Sequence, residues 1–316
     1  MHENVFMLKK IAVTAPYLQI EWDEYKHLLS EFDIIVPKVE ERFEEEEMIK
    51  ILAGGIEGII CGDDRITKRV IDSAPKLRLI VKWGTGIDSI DKAYAESKGI
   101  RVLNTPNAFT IPVSESTIGL MLAILRKIDE NNRLMHGGQW FKPKGYTLNE
   151  LTVGIIGYGN IGSEVARKLS VFTNNILWHD VKRDEEIKKL NRTFYGKRTD
   201  LKTLLSESDV ITIHCDLNPT SRHLVNSALI SGMKEGVIII NTARGPIVKE
   251  EDLTVAILNR KISYVGLDVY ENEPLPADSI LRKMDNCILL SHNTNSSYFA
   301  WKNVHLNSIS MLKSNI

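Results

Sequence analysis

Three glycines in the middle of the chain have the types and spacing of a phosphate-binding loop. Gly157, Gly159 and Gly162 form the pattern GxGxxG between an apolar run and a stretch with helical periodicity. The first glycine of such a loop permits a tight turn, the second lets the backbone approach a pyrophosphate, and the third allows close helix–strand packing. The amides at the start of the helix would then bind the phosphates of a dinucleotide.

The next strand-like segment strengthens this interpretation and indicates which dinucleotide would bind. "NILWHD" ends in Asp180, where a carboxylate would accept hydrogen bonds from the adenosine ribose and repel a 2'-phosphate. The sequence therefore favours NAD over NADP. Lys182 and Arg183 follow closely and would soften that preference if they faced the ribose; as solvated loop charges they would not affect it.

The elements that must position this loop are strands alternating with helices. Short apolar runs are separated by about one helix each, first in "IAVTA", "DIIV", "GIEGIIC", "LRLIVKWG" and "IRVLN", and after residue 150 in "LTVGIIG", "NILWHD", "DVITIHC", "GVIIIN", "YVGLDV" and "NCILLS". This alternation predicts parallel sheets in doubly wound α/β layers.

Length and charge limit the classes of partner. A chain of 316 residues is long enough for about two domains. Lys and Arg number 40 and Asp and Glu 41, for a formal charge of −1, so no overall field attracts nucleic acid or acidic lipid. We expect a small-molecule partner.

The cysteines and the apolar segments predict a cytoplasmic protein without a metal. Cys61, Cys215 and Cys287 are far apart and lack the spacing of a disulfide framework or a zinc site. The N-terminal stretch lacks the apolar core of a secretory leader, and no run of about 18 apolar residues suggests a membrane span. We therefore expect neither export nor membrane insertion.

A long helix is predicted over residues 112–135, between the two series of strands. Pro112 suits a first helical turn, and Gly137 and Gly138 suit a stop. The middle of this segment, "IGLMLAIL", is apolar nearly all round, which one flanking domain would not cover. The helix is therefore either the interface of a homodimer or wedged between the two domains.

Several motifs in one order resemble a known family. They are "WGTGIDSID", "NTPN", "VSE", "GIIGYGNIG", "MKEGVIIINTARG", "GLDVYENEP" and "SHN". From about residue 55 to 297 the chain resembles the D-isomer specific 2-hydroxyacid dehydrogenases, the group of phosphoglycerate dehydrogenase, hydroxypyruvate and glyoxylate reductases and D-lactate dehydrogenase. The resemblance implies a flavodoxin-like substrate domain (1–107 plus 294–316), an inserted Rossmann NAD-binding domain (108–293) and hinge closure around the reacting groups.

The resemblance also implies which residues carry out the reaction. It makes Arg244 the substrate-orienting arginine, His292 the acid/base, and Glu273 the partner of His292. Reduction of a 2-oxo acid needs a proton for the carbonyl oxygen, and histidine titrates nearest to neutral pH. An adjacent carboxylate would fix the ring and favour its protonated form, while a guanidinium can clamp a planar oxo acid by two hydrogen bonds.

Further positions follow from the same resemblance. The backbone of Gly84, Thr85 and Gly86 is expected to bind the substrate carboxylate as an anion nest. Asp268 corresponds to the family's acid that holds the nicotinamide carboxamide. The other positions expected at the cofactor are, beside the three glycines and Asp180, Asn160, Ile161, His214, Cys215, Ser221, Thr242 and Ala243.

Some residues depart from the family's pattern. Ser291 precedes the histidine where proline is usual, and Asn293, Thr294 and Asn295 follow where small glycines are usual. Trp83 replaces a small residue beside the nest, and we expect it to form an apolar wall of the substrate pocket.

The loop after "GIIC" also differs from that of phosphoglycerate dehydrogenases. It reads Gly62-Asp63-Asp64, where those enzymes commonly carry an arginine. Two carboxylates near the substrate mouth would repel a phosphate dianion, although Arg65 follows them. We therefore expect a small unphosphorylated substrate such as glyoxylate or hydroxypyruvate.

Three alternatives stay open beside an NAD-dependent D-2-hydroxyacid dehydrogenase. One is 3-phosphoglycerate dehydrogenase activity. Another is a binding protein on the same fold, like the family's NAD(H)-sensing corepressors, which the departures around His292 permit. The last is a relative that acts on formate or phosphite. Fold alone does not choose among them, because function depends on the site.

Overall fold

The computed structural model describes residues 8–188 and 194–316. Residues 1–7, which begin the N-terminal stretch predicted to lack a leader, lie outside the described residues. The chain divides into two compact units, the first formed by Met1–Phe109 with Ser297–Ile316 and the second by Thr110–Ser296. The prediction that residues 1–107 and 294–316 bind the substrate and residues 108–293 bind NAD stays a prediction.

The first unit contains a parallel sheet of five described strands in the order β2-β1-β3-β4-β5. The central strands are apolar and buried on both faces, as expected for a parallel sheet covered by helices. The strands are β1 Lys10–Val13, β2 Asp33–Ile35, β3 Gly58–Cys61, β4 Leu79–Lys82 and β5 Arg101–Leu103. The helices are α1 Pro16–Ile20, α2 Trp22–Tyr25, α3 Glu45–Leu52, α4 Lys68–Asp72, α5 Lys92–Ser97 and the C-terminal α13 Tyr298–Asn315, with a 3-10 helix at Lys26–Leu29.

The second unit contains a parallel sheet of seven described strands in the order β12-β11-β10-β9-β6-β7-β8. The strands are β6 Val153–Ile156, β7 Ile176–His179, β8 Lys197–Arg198, β9 Val210–Ile213, β10 Val237–Asn241, β11 Ile262–Leu267 and β12 Cys287–Leu289. The helices are α6 Thr110–Leu125, α7 Ile128–His136, α8 Asn160–Leu169, α9 Asp184–Lys188, α10 Leu201–Glu207, α11 Ser227–Ser231 and α12 Glu250–Leu258, with 3-10 helices at Leu148–Glu150, Gly245–Ile247 and Ile280–Lys283.

These strand orders confirm the predicted fold class of two doubly wound α/β units. The order 2-1-3-4-5 of the first sheet is flavodoxin-like, and the second sheet follows the order of a Rossmann fold with one further strand. In the second unit the chain reverses its direction of progress between β6 and β9. Such a switch point is where open α/β sheets bind their ligands, outside the carboxyl ends of the strands.

The prediction of one long helix over residues 112–135 is wrong. The helix α6 ends at Leu125, and α7 begins at Ile128 after Lys127 adopts a left-handed conformation with φ 56°. The Lys127 ammonium lies 3.9 Å from the ring centroid of Tyr264, and Asp129 and Glu130 favour a new helix N-terminus. The apolar α6 packs within its own unit against α8, β10 and β11, whereas α7 buries none of its residues.

Three separate observations on the described part of the chain concern its cysteines, metal ligands and membrane-spanning helices. Its three cysteines are free thiols. Among residues 8–188 and 194–316, no group of His, Cys, Asp and Glu side chains is placed to hold a metal ion. No described helix is both long and apolar enough to cross a bilayer.

Candidate active site

The predicted cofactor and catalytic residues follow one row of strand ends in the second unit. In the ladder of the sheet, six residues lie side by side, namely His179, Ile156, Ile213, Asn241, Leu267 and Leu289. The residues directly after the first five are Asp180, Gly157, His214, Thr242 and Asp268, and His292 comes three residues after Leu289. Parallel strands thus bring groups distant in sequence to one edge of the sheet.

The three glycines of the loop meet three different steric demands. Gly157 has φ 93°, and a Cβ on it would lie 2.6 Å from the backbone nitrogen of Cys215. A Cβ on Gly162 would lie 2.0 Å from the carbonyl oxygen of Gly157, so helix α8 packs directly on the loop. A Cβ on Gly159 would meet nothing within 4 Å. The second glycine therefore borders open space, as required for a pyrophosphate to approach the first turn of α8.

Asp180 is fixed by backbone donors on both sides of its carboxylate. One oxygen accepts a hydrogen bond from the Tyr158 amide (2.7 Å) in the glycine loop, and the other accepts from the Lys182 amide (2.8 Å). Arg198 donates to the carbonyl oxygens of Asp180 (2.8 Å) and Lys182 (2.5 Å). Since each carboxylate oxygen has a second acceptor site, Asp180 remains able to accept the ribose hydroxyls.

The positions expected on the adenosine side lie at the end of β9 and in the loop after it. Burial lowers the pKa of His214 to about 3, and its Nε2 is hydrogen-bonded to the hydroxyl of Thr212 (2.8 Å). Burial raises the pKa of the Cys215 thiol to about 11, which leaves it a neutral thiol. The Ser221 hydroxyl donates within its own loop, to the carbonyl of Asp216 (2.6 Å). These three residues present neutral surfaces, as suits a nucleoside.

Glu273 and His292 are brought together by the loops after β11 and β12. Nδ1 of His292 lies 2.9 Å from Oε2 of Glu273, and the other oxygen of Glu273 accepts a hydrogen bond from the Tyr270 amide (2.9 Å). The carboxylate can only accept, so Nδ1 carries the proton of this hydrogen bond. Nε2 is therefore the ring nitrogen that would exchange a proton with a substrate.

Asp268 holds the backbone of the histidine loop in an uncommon conformation. His292 has φ 53°, and its amide donates to the Asp268 carbonyl (2.8 Å). The buried Asp268 carboxylate accepts from the amides of Asn293 (2.7 Å) and Thr294 (3.1 Å) and from the Thr294 hydroxyl. Thr294, one of the departures from the family's pattern, thus adds a hydroxyl bond that a glycine could not make. The nicotinamide contact of Asp268 stays a prediction.

Arg244 is supported by a short loop after β10. The Asn241 side chain accepts from the Ala243 amide (3.1 Å) and donates to the Arg244 carbonyl (3.0 Å), and Arg244 itself donates to the Ala243 carbonyl (2.8 Å). The Thr242 hydroxyl is hydrogen-bonded to that of Thr117 on α6 (3.0 Å). These hydrogen bonds fix the backbone of the loop after β10, which carries the Arg244 guanidinium.

The expected anion nest belongs to the first unit, where it follows β4. Gly84 has φ 118°, and its carbonyl accepts from both the amide and the hydroxyl of Thr105 (2.9 Å each). The Thr85 carbonyl accepts from the side chain of Asn104 (2.7 Å). Within the described residues, the amides of residues 84–86 have no protein acceptor. They are therefore available to an anion, as the prediction of a carboxylate site requires.

Trp83 does not form the predicted apolar wall. Its side chain is only 3% exposed, and its indole N–H donates to Nδ1 of His305 on α13 (2.9 Å). The ring packs against Tyr17, Phe109 and Trp301, all within the first unit. The sequence showed a large residue beside the nest but not that α13 would cover it.

The two carboxylates expected to repel a phosphate are not free charges. The Asp64 side chain is buried, its pKa is raised by burial, and it accepts from the Thr14 hydroxyl and from the amides of Phe43 and Gly62. Asp63 is paired with Lys82 (2.9 Å). Asp64 thus fixes the loop after β3, and the predicted repulsion by two free carboxylates is wrong.

Known proteins of one family are similar to this chain in sequence and in fold. Residues 118–294 match the D-isomer specific 2-hydroxyacid dehydrogenase, NAD binding domain. A glyoxylate reductase of Thermofilum pendens is 40% identical over 237 residues, 72% of this chain and 69% of the relative. The chain belongs to the D-isomer specific 2-hydroxyacid dehydrogenase family. A hydroxypyruvate reductase of Thermotoga maritima is 38% identical over 257 residues, 80% of this chain and 82% of the relative.

A solved member of the family has the same fold over nearly the whole chain. The D-lactate dehydrogenase of Aquifex aeolicus, crystallised with NAD and lactic acid, superimposes with a TM-score of 0.82 at 28% identity over 97% of this chain and 95% of that one. These comparisons confirm the resemblance. This member of the family is an NAD-dependent oxidoreductase that interconverts a 2-oxo acid and a D-2-hydroxy acid.

Some residues that shape the site were missed by sequence reasoning. Lys82 lies next to the nest, and Gly245 and Tyr270 connect the arginine and glutamate loops. A lysine that ends the apolar run "LRLIV" was a visible signal, since a charge at that position needs compensation. The contact of Gly245 with Tyr270 had no local signal, because it joins two loops that come together only in the folded sheet.

Proposed function

We propose that this dehydrogenase reduces a small, unphosphorylated 2-oxo acid such as glyoxylate or hydroxypyruvate, with His292 as the proton donor. The observation that carries the proposal is the Glu273–His292 hydrogen bond of 2.9 Å, which lies at the same edge of the sheet as the open glycine loop. The names of the two relatives described above, a glyoxylate reductase and a hydroxypyruvate reductase, support the same substrate class.

NAD fits the residues of the second unit. The amides at the start of α8 would hold the pyrophosphate beside Gly159, and Asp180 would accept the ribose hydroxyls. When bound, the reduced nicotinamide supplies a hydride to the carbonyl carbon of the substrate.

The protein groups then handle the carboxylate, the carbonyl oxygen and the proton. The Arg244 guanidinium orients the planar oxo acid and polarises its C=O bond. As the carbon gains the hydride, the carbonyl oxygen takes the proton from Nε2 of His292, which gives the hydroxyl of the product. Glu273 keeps the ring in place and stabilises the imidazolium before the proton leaves.

The unphosphorylated substrate is supported by the charges that follow β3. Arg65, the arginine that follows Asp64, is paired with Glu44 (3.5 Å). The loop therefore offers no unpaired arginine that would attract the second charge of a phosphate group.

A panel of 2-oxo acids with NADH, followed by absorbance, tests this function. We expect the highest kcat/KM with glyoxylate or hydroxypyruvate. The highest kcat/KM with 3-phosphohydroxypyruvate would instead establish the phosphoglycerate dehydrogenase alternative, and no turnover of any 2-oxo acid would favour the corepressor-like alternative.

We also propose a homodimer formed through α6, α7 and the segment that follows them. Although α6 is largely covered in its own unit, α7 and residues 139–146 present large apolar side chains to solvent. Trp140 is 82% exposed, and Met135, Phe141 and Tyr146 are also exposed. Light scattering should give the mass of two chains for the native protein and the mass of one chain for a W140S/F141S variant.

A cytoplasmic location stays a prediction.

A further inference from the structure

Lys82 is a buried charge at the end of an apolar strand. It is the last residue of β4, after three apolar residues, and is only 4% exposed. Removing an ammonium from water is costly unless paired charges and hydrogen bonds replace the lost hydration. The contacts of this lysine should therefore explain why a charge lies at the end of an apolar strand.

The protein supplies partners for two of the three N–H groups of the ammonium. Nζ lies 2.9 Å from Oδ1 of Asp63 and donates to the Trp83 carbonyl at 3.2 Å. The part of the chain that the structure describes offers no acceptor for the third N–H group. Asp63 is partly exposed to solvent, whereas the ammonium is covered. One donor of a buried cation is thus left for water or a ligand.

The remaining donor lies beside the amides of the nest. Nζ is 3.9 Å from the position that a Cβ on Gly84 would occupy, and the amides of residues 84–86 have no acceptor among the described residues. The carboxylate of Asp64, the residue after Asp63, is turned toward Thr14, Phe43 and Gly62. A cation and a row of unpaired amides at one loop favour an anion there.

We propose that Lys82 binds the substrate carboxylate together with these amides and makes the enzyme select charged acids over neutral analogues. The proposal rests on the proposed function, in which the nest receives that carboxylate. The backbone N–H groups alone carry only partial charges, so they would bind the carbonyl oxygen of an ester or an amide almost as well as a carboxylate. The full charge of Lys82 adds a charge-assisted hydrogen bond that only the ionised acid makes.

The test compares two unreactive analogues, oxamate and its neutral ethyl ester, by calorimetry on the NADH-bound protein. The native protein should bind oxamate more tightly than the ester. K82M and K82Q should lower the affinity for oxamate by about 10- to 100-fold, which is the range for a hydrogen bond to a charged group. The affinity for the ester should stay nearly unchanged. Equal weakening of both analogues, or no change in either, would overturn the proposal.

Two further variants separate this role from a general loss of structure. K98M removes a lysine of the same unit that pairs with Asp72 (3.5 Å), and it should change neither affinity. D63N removes the charge that competes for Lys82, so oxamate should bind roughly 3-fold more tightly or better, and the ester as before. Weaker oxamate binding by D63N would contradict the proposal even if neither Lys82 variant folds.

These outcomes are distinct from those that test the proposed function. Failure of the native protein to turn over any 2-oxo acid would remove the proposed function, whereas the binding ratio of oxamate to its ester would still decide the role of Lys82. Turnover of 2-oxo acids with an unchanged ratio in K82Q would remove only the role of Lys82.

Discussion

Gly245 lies directly against Tyr270, so closely that a Cβ on Gly245 would be 1.8 Å from the Tyr270 carbonyl oxygen. This contact joins the loop of Arg244 to the loop that carries Glu273, whose carboxylate accepts a hydrogen bond from the Tyr270 amide. The arginine and the glutamate that supports the histidine therefore have their spacing set by one pair of backbone segments. A side chain at position 245 would force these segments apart.

We expect G245A to lower kcat/KM by about 100-fold or more, because a displacement near 1 Å of catalytic groups has that effect. The affinity for NADH should stay within a few-fold of the native value, since the glycine loop is untouched. G232A is the matched control, because its Cβ would meet only the Leu229 carbonyl at an ordinary 3.5 Å. Equal activity of the two variants would show that the contact does not position the site.

Asp180 should set the preference for NADH over NADPH. We expect D180N to narrow that preference by about 10-fold, because the amide removes the charge that repels a 2'-phosphate. Asparagine retains an oxygen that can accept from the Tyr158 amide, so the glycine loop should keep its position. Equilibrium binding of the two cofactors gives the result. Equal affinities of the native protein for NADH and NADPH would refute this role of Asp180.

Trp83 should contribute to stability and not to substrate size selection. Its ring is enclosed by aromatic neighbours and α13, so W83A should lower the free energy of unfolding by about 3–5 kcal/mol through the cavity it creates. Y298A, at a tyrosine that is 100% exposed, should change it by less than about 0.5 kcal/mol. Urea unfolding measures both. A stable W83A enzyme that accepts bulkier oxo acids would instead support the interpretation of Trp83 as a wall of the substrate pocket.

His305 should make stability depend on pH below neutrality. Burial lowers its pKa to about 4 although the Glu21 carboxylate lies 3.3 Å from Nε2, and the Trp83 indole donates to Nδ1, so the folded protein holds the ring neutral. The unfolded chain takes up the proton near pH 6.5, so this contribution is present above that pH and is lost as the pH falls toward 4.

The loss from His305 should be on the order of 2–3 kcal/mol between pH 7 and 4.5. We expect H305Q to flatten the slope of the unfolding free energy over this range, with the slope from His214 remaining, since the pKa of that buried histidine is also lowered, to about 3. An identical slope in H305Q and the native protein would show that His305 does not titrate on unfolding.

Sequence reasoning succeeded where one segment carries the whole signal. The glycine loop and Asp180 are predicted by patterns of a few residues, and the alternation of apolar runs with helical stretches predicts both sheets. It failed where contacts with residues distant in sequence decide the orientation of a side chain. Trp83 is turned by His305, more than two hundred residues later in the chain, and Asp64 is buried by Thr14 and Phe43. Composition and local spacing do not reveal such long-range contacts.

The break between α6 and α7 illustrates the same limit. Helical periodicity continues through residues 126 and 127, and these residues have ordinary helix propensity. The contact that favours the break is made by Lys127 with Tyr264 on β11, which the sequence near the helix does not contain. The Glu273–His292 pair lay between these cases, since its residue types were recognised from the family's spacing and its geometry required the fold.

The rate of the H292N variant tests the central claim most directly. Asparagine tolerates the left-handed conformation that His292 adopts, with φ 53°, so the substitution removes the acid and should preserve the loop held by Asp268. With NADH and glyoxylate or hydroxypyruvate, we expect kcat to fall by about 10²- to 10⁴-fold, the usual contribution of general acid catalysis, while the Kd for NADH stays within about 3-fold. A kcat equal to that of the native enzyme would contradict the assignment of His292 as the proton donor.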